Sequence, residues 1–333
     1  MSEPQFWWTK AGLAASLLMP LAAGYGAVAA MRLRQVGRRV GIPVICIGNL
    51  TVGGAGKTPA ALACARLLSE AGEVPVFLTR GYGGSAAGPL QVDAARHVAA
   101  EVGDEPLLLA RAAPTVLARA RPAGARLAVA LGADVLVMDD GFQNPSLVKD
   151  LSVLVVDARR GIGNGKVIPA GPLRASLDVQ LQHAQAVLLV GEGVAGNAVA
   201  ETAYRRALPV FAARLEPDAR VIAALGRRPV LAFAGIGDPE KFFATLGQAG
   251  ADVRTRRAFA DHHRYTSADA AALCQQADEE GLTLITTEKD AARLAGAKEA
   301  RQLAERALAL PVTLTFDAPE LFRAFLLQRI QRA

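Results

Sequence analysis

Between positions 48 and 59 the chain reads Gly-Asn-Leu-Thr-Val-Gly-Gly-Ala-Gly-Lys-Thr-Pro, a spacing suited to holding phosphate. In the loop Thr51-Val-Gly53-Gly54-Ala55-Gly56, the glycines free the backbone to turn N–H groups inward on phosphate oxygens. Lys57 is expected to reach the β- and γ-phosphates of a nucleotide, and the Thr58 hydroxyl to hold Mg²⁺. Pro59 is tolerated because the first helical turn makes no intrahelical N–H bond. The usual pattern puts Gly at position 51, where this chain has Thr, so the match is to G-x-G-K-T with one extra Gly before it. Such a site needs an anionic metal holder at a neighbouring strand tip. Asp139 and Asp140 end an apolar run, and two adjacent carboxylates there suit Mg²⁺ bound with ATP. A Gly-rich turn and an Asp pair before Gly141 would be the plain alternative. Strand, glycines, Lys and Thr together favour the nucleotide.

Placing these groups takes a layered scaffold. Short apolar runs at Val44–Ile47, Val76–Thr79, Val135–Met138, Val153–Val156 and Val187–Val190 read as strands of a parallel sheet buried on both faces. Helices are expected over Pro59–Ala71, Glu105–Ala112 and Pro114–Ala120. After a mixed stretch from Arg205 to Arg228, around the apolar run Val210–Ala213, a second alternation begins. It comprises strand Val230–Ala234, helix Pro239–Ala249, strand Val253–Phe259, helix Ala268–Glu280, strand Leu282–Thr286 and helix Pro319–Arg329. Thr266 with Asp269 forms a capping-box pattern, and Gly281 suits a helix stop. The fold class is therefore α/β, a P-loop-type parallel sheet flanked by helices, with a second, smaller α/β lobe. The expected divisions are 1–40, 41–213 and 214–333.

The chain has 333 residues, a net charge of +6 and 52% hydrophobic residues, which excludes a mostly disordered protein. The charge is uneven. Lys10, Arg32, Arg34, Arg38 and Arg39 face only Glu3 within the first 39 positions. That is a basic flank around the uncharged stretch Ala11–Met31 and not a nucleic-acid coating. As a helix this stretch would match the hydrocarbon thickness of a bilayer. It is expected to lie on, dip into or cross the membrane, with Phe6, Trp7 and Trp8 at the interface, a buried soluble helix being the plain alternative. A cleaved signal peptide fits the pattern but not ATP chemistry, which belongs inside the cell. Cys46, Cys64 and Cys274 are isolated, so no disulfide frame or thiolate zinc site is expected.

Several further blocks follow in order: Thr79-Arg-Gly-Tyr-Gly83, Val102-Gly-Asp-Glu-Pro106, Asp139-Asp-Gly-Phe-Gln143, Pro169-Ala-Gly-Pro-Leu-Arg174, Phe233-Ala-Gly-Ile-Gly237, Asp261-His-His263 and Thr287-Glu-Lys-Asp290. Together they make the chain resemble the tetraacyldisaccharide 4'-kinase family of lipid A biosynthesis, from the N-terminus to about residue 325. The resemblance implies transfer of the γ-phosphate of ATP, with Mg²⁺, to the 4'-hydroxyl of an acylated glucosamine disaccharide 1-phosphate. It implies work at the cytoplasmic face of the inner membrane, against its lipid surface, with no obligate protein partner evident. It makes Asp104 the base and His262 the group that tunes it. Read without the family, Asp104 is a helix cap and His262 a loop histidine. Arg174 suits anionic ligand groups, Arg80 could meet a phosphate, and Gln143 could orient water or substrate. Ala175 departs from a common P-L-R-E pattern. The Thr287–Asp290 block also reads as a plain capping box. The competing class is a membrane-associated deviant-Walker ATPase switch. That class carries a second lysine just before the glycines, where this chain has Val52.

Overall fold

A computed structural model describes residues 3–331, so the outermost two positions at each end of the expected divisions lie outside it. The strands are β1 (Val44–Asn49), β2 (Pro75–Thr79), β3 (Leu90–Gln91), β4 (Thr115–Leu117), β5 (Val135–Asp139), β6 (Leu151–Asp157), β7 (Ala186–Val190), β8 (Val210–Pro217), β9 (Val230–Ala234), β10 (Val253–Ala258), β11 (Thr283–Thr287), β12 (Leu308–Leu310) and β13 (Val312–Phe316). Nine of them form one sheet in the order β13-β8-β7-β6-β1-β5-β2-β4-β3, and four form a second in the order β10-β9-β11-β12. The large sheet is parallel except where β13 meets β8 and β3 meets β4.

The continuous apolar runs have a direct cause. Along β1, Ile45 and Ile47 pack beneath helix Lys57–Glu70 on one face, while Val44 and Cys46 join the core on the other. Both faces are buried, so no polar alternation survives. All three cysteines are free and buried. The capping box at Thr266 and Asp269 is present, and Gly281 closes that helix in the left-handed region.

Three expectations need correction. Pro114–Ala120 is not a helix: Thr115–Leu117 is a fully buried strand pairing with β2. Its β-branched pair fits a pleated slot, and three residues are too few to show a period. The C-terminal part of 214–333 does not stay in the second lobe. β13 pairs with β8, and Phe322 and Leu326 of helix Pro319–Ile330 bury in the core of the large sheet. The chain thus leaves and re-enters the first lobe at adjacent points, where the Asp218 N–H donates to the Pro311 carbonyl at 2.9 Å. Finally, Trp7 is no interfacial aromatic. It is buried, and its indole N–H donates to the Pro169 carbonyl at 3.0 Å. Trp8 lies under the Arg160 guanidinium at 4.7 Å. The apolar helix itself runs Leu13–Leu33, and Leu13, Leu17 and Leu21 are 85%, 80% and 65% exposed.

Candidate active site

β1 sits where the strand order reverses, between β5 and β6, which is where open α/β sheets form their ligand crevice. The loop leaving β1 is held from outside. Thr51 pairs with Leu173 as an isolated bridge, Val52 N–H donates to the Pro172 carbonyl at 2.9 Å, and Arg174 N–H donates to the Leu50 carbonyl at 3.0 Å. This explains why position 51 is Thr: the residue is extended and nearly buried, with no need of glycine's freedom. That freedom is used at Gly53 and Gly56, with φ of 99° and 92°. Ala55 is buried between them, and Gly54 has open space where a side chain would stand. Gly56 caps helix Lys57–Glu70, which puts Lys57, Thr58 and Pro59 in its first turn.

The two acids at the tip of β5 diverge. Asp139 is the last strand residue, 2% exposed, and its Oδ2 accepts the Thr58 hydroxyl at 3.2 Å. Its Oδ1 is buried with no partner among the described residues. Asp140 has φ of 52°, which turns its side chain elsewhere. Arg174 grips it through both terminal nitrogens at 3.0 and 3.2 Å, and Lys57 Nζ stands 3.8 Å away. Burial pushes the Asp139 carboxyl up, reinforced by Glu105 and Asp140 against the pull of Lys57. Burial acts on Asp140 too, but Lys57 and Arg174 outweigh it and hold that carboxyl low, at about 2. Arg174 also donates to the Thr51 carbonyl at 3.1 Å and to Gln143 Oε1 at 3.1 Å, while Gln143 donates to the Asn49 carbonyl at 3.2 Å. Gln143 is thereby engaged in the scaffold. Arg80 is exposed past β2, and Ala175 is fully buried.

The second lobe closes on this crevice. A Cβ on Gly237 would come 3.2 Å from the Gly54 nitrogen and 3.5 Å from Asp261 Oδ2, so a glycine lets the two backbones meet. Ala292 of helix Glu288–Ala295 buries among Val102, Leu107 and Leu108 of the first lobe. Asp104 opens helix Asp104–Ala110, 2% exposed, and Gly103 rather than Asp104 takes the capping position. Its Oδ2 accepts Arg293 Nε at 2.8 Å and lies 3.5 Å from His262 Nδ1. His262 has φ of 56° and its N–H donates to the Gly235 carbonyl at 3.0 Å. Tyr82 packs against its ring at 4.8 Å. His263 turns the other way, to Asp269 at 3.0 Å. Burial alone would raise Asp104, but the His262 hydrogen bond and the charges of Lys289, Arg293 and His262 hold its carboxyl well below the usual carboxylate range. Burial lowers His262, and Asp104 overrides it to leave the imidazole raised.

A family profile described as LpxK, tetraacyldisaccharide-1-P 4'-kinase, matches residues 14–331. The chain belongs to the tetraacyldisaccharide-1-P 4'-kinase family. A tetraacyldisaccharide 4'-kinase of Rhodopseudomonas palustris (strain BisA53) is 54% identical over 334 residues, covering 100% of this chain and 97% of the relative. One of Methylobacterium nodulans is 56% identical over 321 residues, covering 96% and 93%. The crystal structure of LpxK from Aquifex aeolicus in complex with ATP superposes with a TM-score of 0.72 at 27% identity, over 95% of this chain and 99% of that one.

Within this kinase, three residues of the Thr287 block and its extension do more than cap a helix. The cap is present, with the Asp290 N–H donating to Thr287 Oγ1 at 3.1 Å. Asp290 is also fully buried and accepts from the Gly235 N–H at 3.0 Å, the Tyr265 hydroxyl at 2.7 Å and Arg293 at 2.9 Å. Lys289 crosses to Glu105 at 2.7 Å. No spacing in the sequence singles out Arg293. A basic residue inside a surface-looking helix gives no signal until the lobes are packed.

Proposed function

We propose that this protein transfers the γ-phosphate of ATP to the 4'-hydroxyl of tetraacyldisaccharide 1-phosphate, with Asp104 accepting the hydroxyl proton. The observation that carries the reading is the meeting of Asp104 and His262, from different lobes, beside the phosphate loop that Gly237 abuts. The ATP-bound Aquifex relative supports the nucleotide, and the relatives' names support the acceptor.

The loop residues Gly53–Thr58 would cradle the phosphates, with Lys57 offsetting charge on the transferring group. Thr58 and Asp139 would hold Mg²⁺. They are a hydroxyl and a carboxylate already 3.2 Å apart, and Asp139 Oδ1 is an orphaned buried oxygen, a hard-oxygen set that fits this ion. Asp140, whose oxygens Arg174 occupies, would keep Lys57 and Arg174 in register. The ion would neutralise phosphate charge when bound.

The acceptor oxygen attacks the γ-phosphorus, the bond to the β,γ-bridging oxygen breaks, ADP leaves, and the hydroxyl proton passes to Asp104. A carboxylate held this low is a weak base. A loose transition state tolerates that, because little bonding to the attacking oxygen has formed when the barrier is crossed. His262 would donate its Nδ1–H to Asp104 and keep it ionised. Closure of the second lobe would exclude water that otherwise takes the phosphate.

Helix Leu13–Leu33, 21 residues and by length and composition apolar enough to cross a membrane, would seat the enzyme at the cytoplasmic face of the inner membrane, where its acylated substrate resides. Arg32, Arg34, Arg38 and Arg39 would face anionic headgroups, each contributing about 1 kcal/mol near a charged surface. An assay with γ-labelled ATP and the disaccharide 1-phosphate tests the reading. Label on glycolipid supports it. Label released only as free phosphate identifies an ATPase switch instead, and label remaining on ATP removes both.

A further inference from the structure

The group that faces Asp104 most closely is neither His262 nor a member of the phosphate loop. Arg293 Nε lies 2.8 Å from Asp104 Oδ2, nearer than His262 Nδ1 at 3.5 Å. The Arg293 side chain is 9% exposed. Its Nη1 is fixed by three acceptors of its own lobe or helix: the Gly235 carbonyl at 2.8 Å, Asp290 Oδ1 at 2.9 Å and the His263 carbonyl at 3.5 Å. Its Nη2 is buried and has no partner among the described residues.

These facts constrain what the guanidinium can do. In a planar fork the Nε–H and one N–H of Nη2 lie along the same edge. The edge that holds Asp104 therefore carries a second, unused donor beside the carboxylate. A buried donor without an acceptor is unfavourable by about 1–3 kcal/mol, and the fork cannot rotate to relieve it, because Nη1 is tied down by Asp290. Asp290 is itself held by the Gly235 N–H, the Tyr265 hydroxyl and the Thr287 hydroxyl. The orphan donor is thus built into the second lobe and delivered to Asp104 when that lobe seats.

We propose that Arg293 is the positioning residue for Asp104, turning its carboxylate toward the acceptor sugar and presenting Nη2 to an oxygen of that sugar next to the reacting hydroxyl. The proposal rests on Asp104 as the base. Its consequence is that lobe closure assembles the base: of the partners of Asp104 among the described residues, the Glu105 N–H, 2.9 Å from Oδ1, is the one supplied by the first lobe. The charged groups around Asp104 fit this division of labour. Glu105 flanks it on its own helix, Lys289 and Arg293 face it from helix Glu288–Ala295, and His262 with Asp261 behind it faces it from the turn after β10. Lys289 is engaged by Glu105 at 2.7 Å, which leaves Arg293 as the cation bonded to Asp104.

The test compares Arg293→Lys and Arg293→Met in the full-length chain, with KM for ATP and for the disaccharide 1-phosphate, kcat and its pH dependence measured for each. Lys keeps the charge and can still donate to Asp104 but lacks the planar fork that fixes a second donor beside it. It should retain the position of the acid limb of kcat while KM for the disaccharide rises at least fivefold and KM for ATP holds within twofold. Met should lower kcat at least 30-fold, with KM for ATP unchanged and the acid limb displaced to higher pH. Unchanged ATP binding shows that each variant is folded, and Lys carries the test if Met does not fold. A Lys variant with wild-type KM for the sugar overturns the Nη2 contact. A Met variant with wild-type kcat and acid limb overturns the positioning role. Both results stand apart from a failure of the base assignment, which Asp104→Asn reads independently.

Discussion

Replacing Asp104 by Asn changes one oxygen to nitrogen without changing shape, so the loss it causes can be worked out from the neighbours. Oδ2 accepts Arg293 Nε at 2.8 Å and Oδ1 accepts the Glu105 N–H at 2.9 Å. Whichever way the Asn amide turns, its NH₂ faces one of those donors and one bond is lost. The buried guanidinium also loses one of its two counter-charges but keeps Asp290 at 2.9 Å, so the destabilisation should stay below the about 3–5 kcal/mol of a fully broken buried pair. For chemistry, a positioned general base contributes about 10²–10⁴-fold, or about 2.7–5.4 kcal/mol of barrier. The expected result is therefore a fall in kcat of that size with KM for ATP unchanged, since the polar partners of Asp104 among the described residues are Glu105, Arg293 and His262 and not the phosphate loop. Steady-state transfer to the disaccharide, followed with labelled ATP, measures the first quantity. Nucleotide titration measures the second. A variant that folds, binds ATP and transfers phosphate within fivefold of the parent rate would refute the assignment of Asp104 as the base and, with it, the reason for two lobes to meet there.

The remaining expectations concern stability, pH and the membrane. Trp7→Ala removes a buried indole and its bond to the Pro169 carbonyl at 3.0 Å. It should detach the N-terminal segment at about 3–5 kcal/mol, read as lost hydrogen-exchange protection at Asn164, whose N–H donates to the Trp7 carbonyl at 2.8 Å. Asp104 is held below its unfolded value of about 3.9, so its contribution is present above that pH and is lost as pH falls further. His262 is raised above its unfolded value of about 6.5, so its contribution is present below that pH and is lost as pH rises through the folded value. The contribution of this pair to thermal stability should thus be greatest between about pH 4 and 6.5, and Asp104→Asn should remove it on both sides. An unchanged profile would contradict the pairing. Leu13, Leu17 and Leu21 are exposed, and at about 1.5–3 kcal/mol for each buried leucine, changing all three to Ser should lower vesicle binding at least 100-fold. Transfer to detergent-dispersed substrate should persist. Undiminished sedimentation with vesicles would show that this helix is not the membrane contact.

Much of the site was legible because its chemistry is local. Glycines at 53 and 56 before Lys57 and Thr58 define a turn whatever surrounds it, and continuous apolar strands follow from burial on two faces. The parts that were not legible depend on distant partners. Adjacent acids at 139 and 140 look equivalent in sequence. They separate only because Asp140 takes a left-handed backbone and meets Arg174, thirty-four residues on. β13 alternates half-buried, exposed and buried residues and pairs antiparallel with a strand about a hundred residues earlier, so nothing nearby announces that the chain returns to the first lobe. Trp7 had the composition of an interfacial residue, and only the loop around Pro169 shows that it belongs to the protein interior. Arg293 required the packed lobes to become visible at all.

The most direct test is the position of the new phosphate. Purified protein, Mg²⁺, ATP and the disaccharide 1-phosphate should yield a bisphosphate whose new phosphorus couples in NMR to the proton on carbon 4', and Lys57→Ala should abolish that signal. A product phosphorylated at another hydroxyl, or ATP turned over with the disaccharide unmodified, would contradict the assignment.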